Sequence, residues 1–470
     1  MQTNDLVIVG AGPAGMAAAR TAADCGLEVI LLDEQLRPGG QIYRDVDRVT
    51  TSRAEILGKD YTEGAKLTAG LAHSKITHIS GAVVWSIEDG TRVLYTVQGR
   101  ADIVTGKRIL LATGALERPM PIPGWTLPGV MTAGAGQILL KQSGLVSKRA
   151  VLVGSGPLLY LIAAQMVRSG TPPLAMVETQ SRADFLRSLR HIRGAARGWQ
   201  HLLKGLMMLR EIRRAGVRRY TAAQGITITG QELAKAVSFT AGGRTHTVDC
   251  DTVYLHHGVV PNTQAARSIG AKHLWDQRQC CFVPQLDPWG RTSVETVFIA
   301  GDSSGIGGAK IAALAGELAA LRIGFELEAI SQNECENAAQ PLLKAISRER
   351  AIRPFLDTGY PPLSEAMRPD DATIICRCEE VTAGAIRRFA TLGCLGPNQA
   401  KAFGRVGMGP CQGRYCGLTV TSLLAEANDA SPDKTGYFRI RSPIKPVTLG
   451  ELSAMDDLAN VANTEQKEKM

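Results

Sequence analysis

Aromatic residues are scarce in this chain: nine Phe, nine Tyr and five Trp make up 5% of its 470 residues. A core with so few rings must be aliphatic, and 50 glycines beside 44% apolar residues suit an α/β protein rich in tight turns. No uninterrupted apolar run reaches the ~18 residues that a bilayer crossing requires. The apolar opening LVIVGAGPAGMAAA lacks a basic leader and is cut by Gly-Pro, so it does not read as a secretory signal. Ten cysteines without such a signal point to a reducing, cytoplasmic compartment, where thiols bind metals rather than form bridges. A chain of this length is expected to hold two to four domains.

The formal charge of +9 is moderate and unevenly placed. Between Arg182 and Arg219 eleven Lys or Arg face two acids, Asp184 and Glu211. Aromatic residues do not alternate with basic ones there, so nucleic acid is not expected. Leu186, Leu189, Ile192, Trp199, Leu202, Leu206, Leu209 and Ile212 recur at helical spacing. One reading is an amphipathic helix lying on a membrane or an acidic partner. The preferred one is two helices packing an apolar stripe, because Gly194, Gly198 and Gly205 interrupt any long helix.

Leu6-Val7-Ile8-Val9 reads as a strand, followed at once by Gly10-Ala-Gly12-Pro13-Ala14-Gly15 and an Ala-rich helical segment. In that order the glycines permit a tight turn, approach of a pyrophosphate, and close packing of helix on strand. The helix N-terminus offers free amides to phosphate. A second strand from Glu28 to Leu32 ends at Asp33-Glu34, where a carboxylate reaches a ribose hydroxyl. A second unit, Val151-Leu-Val-Gly154-Ser-Gly156-Pro-Leu-Leu159, repeats the pattern with a strand ending at Glu178, yet Leu159 stands where the third glycine belongs. NAD(P) or another adenine nucleotide there stays open against a retained fold with a degraded site.

The first unit and its sequel resemble the two-dinucleotide-domain flavoproteins of the pyridine-nucleotide disulfide reductase type. Pro38-Gly39-Gly40-Gln41-Ile42-Tyr43-Arg44 looks like their FAD-binding extension, and Ile109-Leu-Leu-Ala112-Thr113-Gly114 like the strand end where the chain leaves the FAD domain. Val297-Phe-Ile-Ala-Gly301-Asp302 looks like the second FAD fingerprint. The resemblance implies FAD on Gly10, Gly12, Pro13, Ala14, Gly15, Asp33, Glu34, Gly40, Gln41, Arg44, Val83, Ala112, Thr113, Gly114, Gly301, Asp302 and Ala309. Asp302 would hold the ribityl chain and the helix from Ala309 would face the isoalloxazine. The segment GGQIYR lacks the paired cysteines of a disulfide reductase, so dithiol chemistry is not expected. His256 and His257 alternate faces of a strand and cannot pair on one metal; a polar lining near the flavin is open to them.

Near the C-terminus, Cys376-Arg-Cys378-Glu-Glu-Val is answered by Gly409-Pro-Cys411-Gln-Gly-Arg-Tyr-Cys416. Four thiols in a C-x-C and C-x4-C arrangement suit zinc or an iron–sulfur cluster, and C-x-C is cramped for a single tetrahedral ion. CRCEEV with GMGPCQGRYC resembles the small 2Fe–2S domain similar to bacterioferritin-associated ferredoxin. That domain is fused to the A subunits of heteromeric opine, hydroxyproline and cyanide-forming flavin dehydrogenases. The resemblance covers the chain to about residue 450 and implies cluster ligation by Cys376, Cys378, Cys411 and Cys416.

The expected fold is α/β, with two nested Rossmann-like dinucleotide-binding domains and a small, mainly helical C-terminal 2Fe–2S domain. Its parts are a first FAD segment at 1–118, an inserted NAD(P)-type domain at 119–255 and a second FAD segment at 256–330. A Pro-rich linker with one helix at 331–371, the cluster domain at 372–430 and a tail at 431–470 follow, the last dozen residues reading as disordered. The resemblance further implies an electron-transfer subunit of an amino-acid or opine dehydrogenase. Its partners would be an FAD-containing B subunit carrying the substrate site, with room for one more small subunit, and a one-electron acceptor. An FMN at a subunit interface and contact with the inner face of a membrane stay open. Two rivals are kept: a self-contained NAD(P)H-dependent reductase feeding its own cluster, and a non-catalytic redox-sensing subunit.

Overall fold

The computed structural model describes residues 3–453 and 455. The strand Thr3–Val9 lies at the centre of a seven-stranded sheet, between Val29–Asp33 and Arg100–Leu111, both parallel to it. Leu6, Val7 and Ile8 are fully buried, as a strand covered on both faces demands, which explains the continuous apolar run. Ile76–Ser80 extends one edge in parallel. The long strand Arg100–Leu111 pairs antiparallel with Arg92–Val97 along its first half and parallel with Val297–Ile299 along its last turn. The second fingerprint is thereby brought beside the first.

The chain leaves this domain through Ala115–Glu117 and re-enters through Val259–Pro261, two strands paired antiparallel as a short neck. Between them stands a five-stranded all-parallel sheet in the order 218–220, 175–178, 150–154, 252–256, 130–132. A three-stranded antiparallel sheet, 224–229, 236–241 and 244–249, covers it.

Two expectations need correction. Residues 331–371 are not a linker with one helix: Gln332–Arg350, Arg353–Gly359 and Ser364–Met367 are helical. Cys335, Ala339 and Ile346 pack against the helix Ala309–Glu326, and Leu363 and Ala366 enter the core of the inserted domain. The prolines do not prevent this: Pro354 sits in a first turn, Pro341 lies within the unbroken helix Gln332–Arg350, and Pro361, Pro362 and Pro369 fall between helices or after them. Nor is the chain from 431 onward a tail without structure. Phe438, Ile440 and Ile444 are buried in the same core as Val406, Val420 and Leu424. The expectation of disorder in the last dozen residues lies outside the described residues. Among the described residues no helix is long and apolar enough to cross a membrane.

The basic segment also departs from the preferred reading. Its helices Arg182–Ser188, Ile192–Arg197 and Trp199–Arg214 bury Ala195, Met208 and Ile212. Leu186, Leu189, Ile192, Trp199 and Leu206 stay exposed. The glycines decide this: a Cβ on Gly194 would meet the Ala351 carbonyl oxygen at 2.2 Å, and one on Gly198 the Ile352 side chain at 2.8 Å. The segment is seated on residues 351–352 by its glycine face, which turns much of the apolar stripe outward.

Candidate dinucleotide cradle and thiol cluster

One continuous cavity of about 2490 Å³ runs along the seven-stranded sheet's carboxyl edge, between it and the inserted domain. Its walls include Gly10, Gly12, Pro13, Ala14, Asp33, Glu34, Gly40, Gln41, Arg44, Ala112, Thr113, Gly114, Gly301, Asp302 and Ala309. Gly15 and Val83 are not on the wall. Gly15 acts through packing instead, since a Cβ there would stand 1.9 Å from the Gly10 carbonyl oxygen. Ala82 and Val84 line the cavity on either side of Val83, as strand alternation requires.

The helix Pro13–Asp24 begins at Gly12 with no side-chain cap, so its first amides are free for a ligand. A Cβ on Gly12 would find only the Gly40 Cα, at 3.9 Å, which leaves room beside those amides. Asp33 accepts from the Ala11 amide at 2.5 Å and the Gln35 amide at 2.7 Å, and its burial pushes its pKa up. Glu34 is held differently. Burial opposes ionisation, but the ammonium of Lys445, 2.7 Å away, keeps it below the usual carboxylate range. Asp302 Oδ1 accepts from the Gly307 and Gly308 amides at 2.9 and 2.8 Å, ahead of the uncapped helix Ala309–Glu326.

Sequence reading missed Lys141 and Glu117 in this cavity region, although it had named their neighbours Arg44, His256 and His257. Lys141, 3% exposed, donates to the Gln41 carbonyl at 3.0 Å and to Gln137 Oε1 at 2.9 Å. Burial, reinforced by Arg44, lowers its pKa to about 7. Arg44 is itself buried and donates to Gln35 and Gln41. Neither cation has a carboxylate partner among the described residues. Glu117 joins His256 Nδ1 at 2.6 Å and accepts from the Gly134 amide at 2.7 Å. His257 points the other way, to the Pro119 carbonyl at 2.8 Å, and burial together with Arg118 pushes its pKa down to about 3. Lys141 and Glu117 belong to no periodic or spaced pattern, so no local signal marks them.

In the second unit, Leu159 is fully buried among Ala133, Tyr160 and Ala163. Glu178, also fully buried, accepts from Tyr160 at 2.8 Å, Gln180 at 2.6 Å, and Arg219 Nε and Nη2 at 2.5 and 2.8 Å.

Cys376, Cys378, Cys411 and Cys416 line the same cavity. They form two pairs. Cys378 Sγ lies 3.7 Å from Cys411 Sγ, and Cys416 hydrogen-bonds to Cys376. That bond and the amides of Gly407, Glu379 and Cys378 outweigh burial and lower the Cys376 pKa to about 6, whereas Cys416 is raised well above a thiol's ordinary value. A Cβ on Gly409 would stand 2.2 Å from the Cys378 Cβ, so close approach requires glycine there. Among the described residues, no group of three or more His, Cys, Asp or Glu side chains is disposed around a single metal ion. The thiol domain is tied to both dinucleotide domains: Gln264 of the first donates to the Gln412 carbonyl at 3.4 Å, and Trp125 Nε1 of the inserted one to the Ile374 carbonyl at 2.8 Å.

Comparison with known proteins agrees with this architecture. Residues 4–316 match the pyridine nucleotide-disulphide oxidoreductase family, and residues 372–456 match the sarcosine oxidase A3 domain. An A-type opine oxidase chain of Rhizobium meliloti is 41% identical over 97% of this chain and 88% of its own length. The hydrogen cyanide synthase subunit HcnB of Pseudomonas aeruginosa is 33% identical over 97% of this chain and 99% of its own. The crystal structure of L-proline dehydrogenase from P. horikoshii shares the fold, with a TM-score of 0.70, 18% identity, and coverage of 96% of this chain and 79% of that one. With both dinucleotide units, the neck and the C-terminal domain accounted for, the chain belongs to the opine oxidase A-subunit family of heteromeric flavoprotein oxidoreductases.

Proposed function

We propose that this chain is the electron-transfer subunit of a heteromeric dehydrogenase acting on the CH–NH bond of an amino acid or opine. It holds FAD in the first cradle and a 2Fe–2S cluster on Cys376, Cys378, Cys411 and Cys416. The observation that carries the reading is that these four thiols line the same cavity as Gly10, Gly12 and Asp302. Octopine, nopaline, hydroxyproline, proline and glycine are all substrates compatible with it.

The residues fit both groups. Gly12 and the uncapped helix N-terminus suit a pyrophosphate, Asp33 a ribose, and Asp302 a ribityl hydroxyl. The thiols fit a two-iron cluster better than a zinc ion. They stand as two pairs, a 2Fe–2S cluster takes two thiolates on each iron, and the C-x-C spacing of Cys376 and Cys378 is cramped for a single tetrahedral ion. When bound, FAD accepts electrons in pairs and the cluster passes them singly, which suits a one-electron acceptor. The chain's own share is to cradle both groups and to aim the amides of Gly407, Glu379 and Cys378 at the Cys376 sulfur. Substrate oxidation is assigned to the FAD-containing B subunit.

Iron, zinc and flavin analysis of the purified chain tests this. About two irons per chain with bound flavin is the expected result. Stoichiometric zinc in place of iron would overturn the cluster assignment.

A further inference from the structure

The face formed by the helices Arg182–Ser188, Ile192–Arg197 and Trp199–Arg214 contains none of the residues assigned above to the FAD cradle or the thiol cluster, yet it is built unlike the rest of the surface. Phe185, Leu186, Ile192, Trp199, Leu206 and Met207 are each more than half exposed, at 57, 65, 51, 54, 63 and 65%. A soluble surface rarely gathers so many large apolar side chains within so short a stretch unless something covers them. Around them stand Arg182, Arg190, Arg193 and Arg197, all exposed, and none pairs with an acid among the described residues. The stretch's two acids are already engaged: Asp184 caps its helix and meets Arg187, and Glu211 is bound by Arg168.

We infer that this face docks an acidic, amphipathic helix of the partner subunit. The inference rests on the reading of this chain as one subunit of a heteromer. Three observations choose that occupant. The uncompensated charge is of one sign and carried by guanidinium groups, which match carboxylates with two parallel hydrogen bonds. The mixture of Trp, Phe, Met and Arg is that of protein interfaces. Finally, Phe185, Leu186, Ile192 and Leu206 line the large cavity, so four of the six apolar side chains border a recess. A helix inserted by its apolar face fills a recess, as in other helix-in-groove complexes, whereas the surface of a bilayer cannot follow one. The face also reaches the start of the helix Ala309–Glu326: His201 and Lys310 meet at Glu349, at 3.2 and 2.5 Å. A helix docked there would close the cavity at its Asp302 end.

The test is co-expression of the chain with a B-type subunit of an opine oxidase. Binding is measured by gel filtration and titration, for the native chain, Leu186→Glu with Leu206→Glu, and Arg193→Glu with Arg197→Glu. All four positions are exposed, so flavin content and circular dichroism should not change. Each double variant is expected to weaken association at least tenfold, and raised salt should weaken the native complex but not the arginine variant further. Native affinity in both variants would overturn the docking face while leaving the heteromer reading intact. Failure of the native chain to bind the B-type subunit would overturn both. Flotation with phosphatidylglycerol vesicles is the third arm: vesicle binding that the leucine variant loses, while the two chains still associate, would assign the face to a membrane and end the proposal.

Discussion

Glu178 and Arg219 form an ion pair inside the inserted domain, with Arg219 Nε and Nη2 donating to the two carboxylate oxygens at 2.5 and 2.8 Å. Glu178 ends the strand Ala175–Glu178, the position from which a dinucleotide domain offers a carboxylate to ribose. Here Tyr160 and Gln180 complete its hydrogen bonds, and Leu159 fills the space a third glycine would leave. NADH is therefore expected not to reduce the flavin within a turnover. Stopped-flow mixing checks this, and rapid bleaching would show that the pair opens for a nucleotide. Glu178→Ala should cost about 3 kcal/mol of stability, since it strands a partly buried guanidinium.

Lys141 makes stability depend on pH in a direction unusual for lysine. Its ordinary pKa of 10.5 falls to about 7 in the native chain, chiefly through burial. Between those values the unfolded chain holds a proton that the native chain has released, so stability rises with pH, by at most ~1.4 kcal/mol per unit. Below about pH 7 both states are protonated and the penalty is constant. Lys141→Met removes the titration. Urea midpoints of the native chain relative to the variant should climb from pH 7 to 10 and stay level below 7. Parallel curves across that range would mean that Lys141 remains charged beside a bound anion.

Asp302 accepts two backbone amides on one oxygen, and its other oxygen takes no hydrogen bond from the described residues. Asp302→Ala should therefore weaken flavin retention by roughly 1.5–3 kcal/mol, the worth of a hydrogen bond to a charged group. Gly12→Val should abolish retention by filling the space beside the free amides. Equilibrium dialysis of flavin separates the two, and full occupancy in the Gly12 variant would remove the first cradle from the flavin site.

Ser in place of Cys376, Cys378, Cys411 or Cys416 should each remove visible iron–thiolate absorbance while leaving flavin bound. Loss of flavin together with iron in the Cys378 variant would indicate that the C-terminal domain shapes the first cradle instead of only sharing its cavity.

How far these sites were legible depended on whether one residue type alone could satisfy the constraint. Gly10 and Gly15 were readable because steric limits admit nothing larger at a fixed spacing, and Gly12 because the motif keeps its side open for a pyrophosphate. The thiols were readable because their paired spacing is hard to reconcile with packing. Residues 437–445 gave no such signal. Phe438 packs against Gly407 and Gly413, Ile444 donates to the Trp85 carbonyl at 2.7 Å and Lys445 pairs with Glu34, all contacts to distant residues from a stretch without period. The Lys141 site was hidden for the same reason: its partners Gln41 and Gln137 belong to different domains. The outward apolar stripe was misread because helical spacing reports a face, and only the Gly194 and Gly198 contacts decide which way that face points.

The isolated chain should oxidise no amine by itself. Dehydrogenation of an amino acid requires its α-hydrogen to be aimed at a flavin, with a cation commonly fixing the carboxylate. Among the described residues, the buried guanidinium groups on the cavity wall spend their Nη atoms on the chain's own carbonyl and amide oxygens, while Arg44 Nε and Arg118 Nε have no partner. Arg118 donates to the carbonyls of Cys280 and Gln279, at 3.0 and 2.5 Å, and Arg44 donates to Gln35 and Gln41. Arg219, less buried, is held by Glu178. Each buried group thus keeps at most a single Nε–H free, so none of the three offers two parallel donors to a substrate carboxylate. Expression alone should therefore give a flavin- and iron-containing protein inert toward octopine, nopaline, hydroxyproline, proline and glycine. Co-expression with the B-type subunit should restore reduction of an artificial dye. Robust turnover of any of these substrates by the isolated chain would place the substrate site here and overturn the division of labour between subunits.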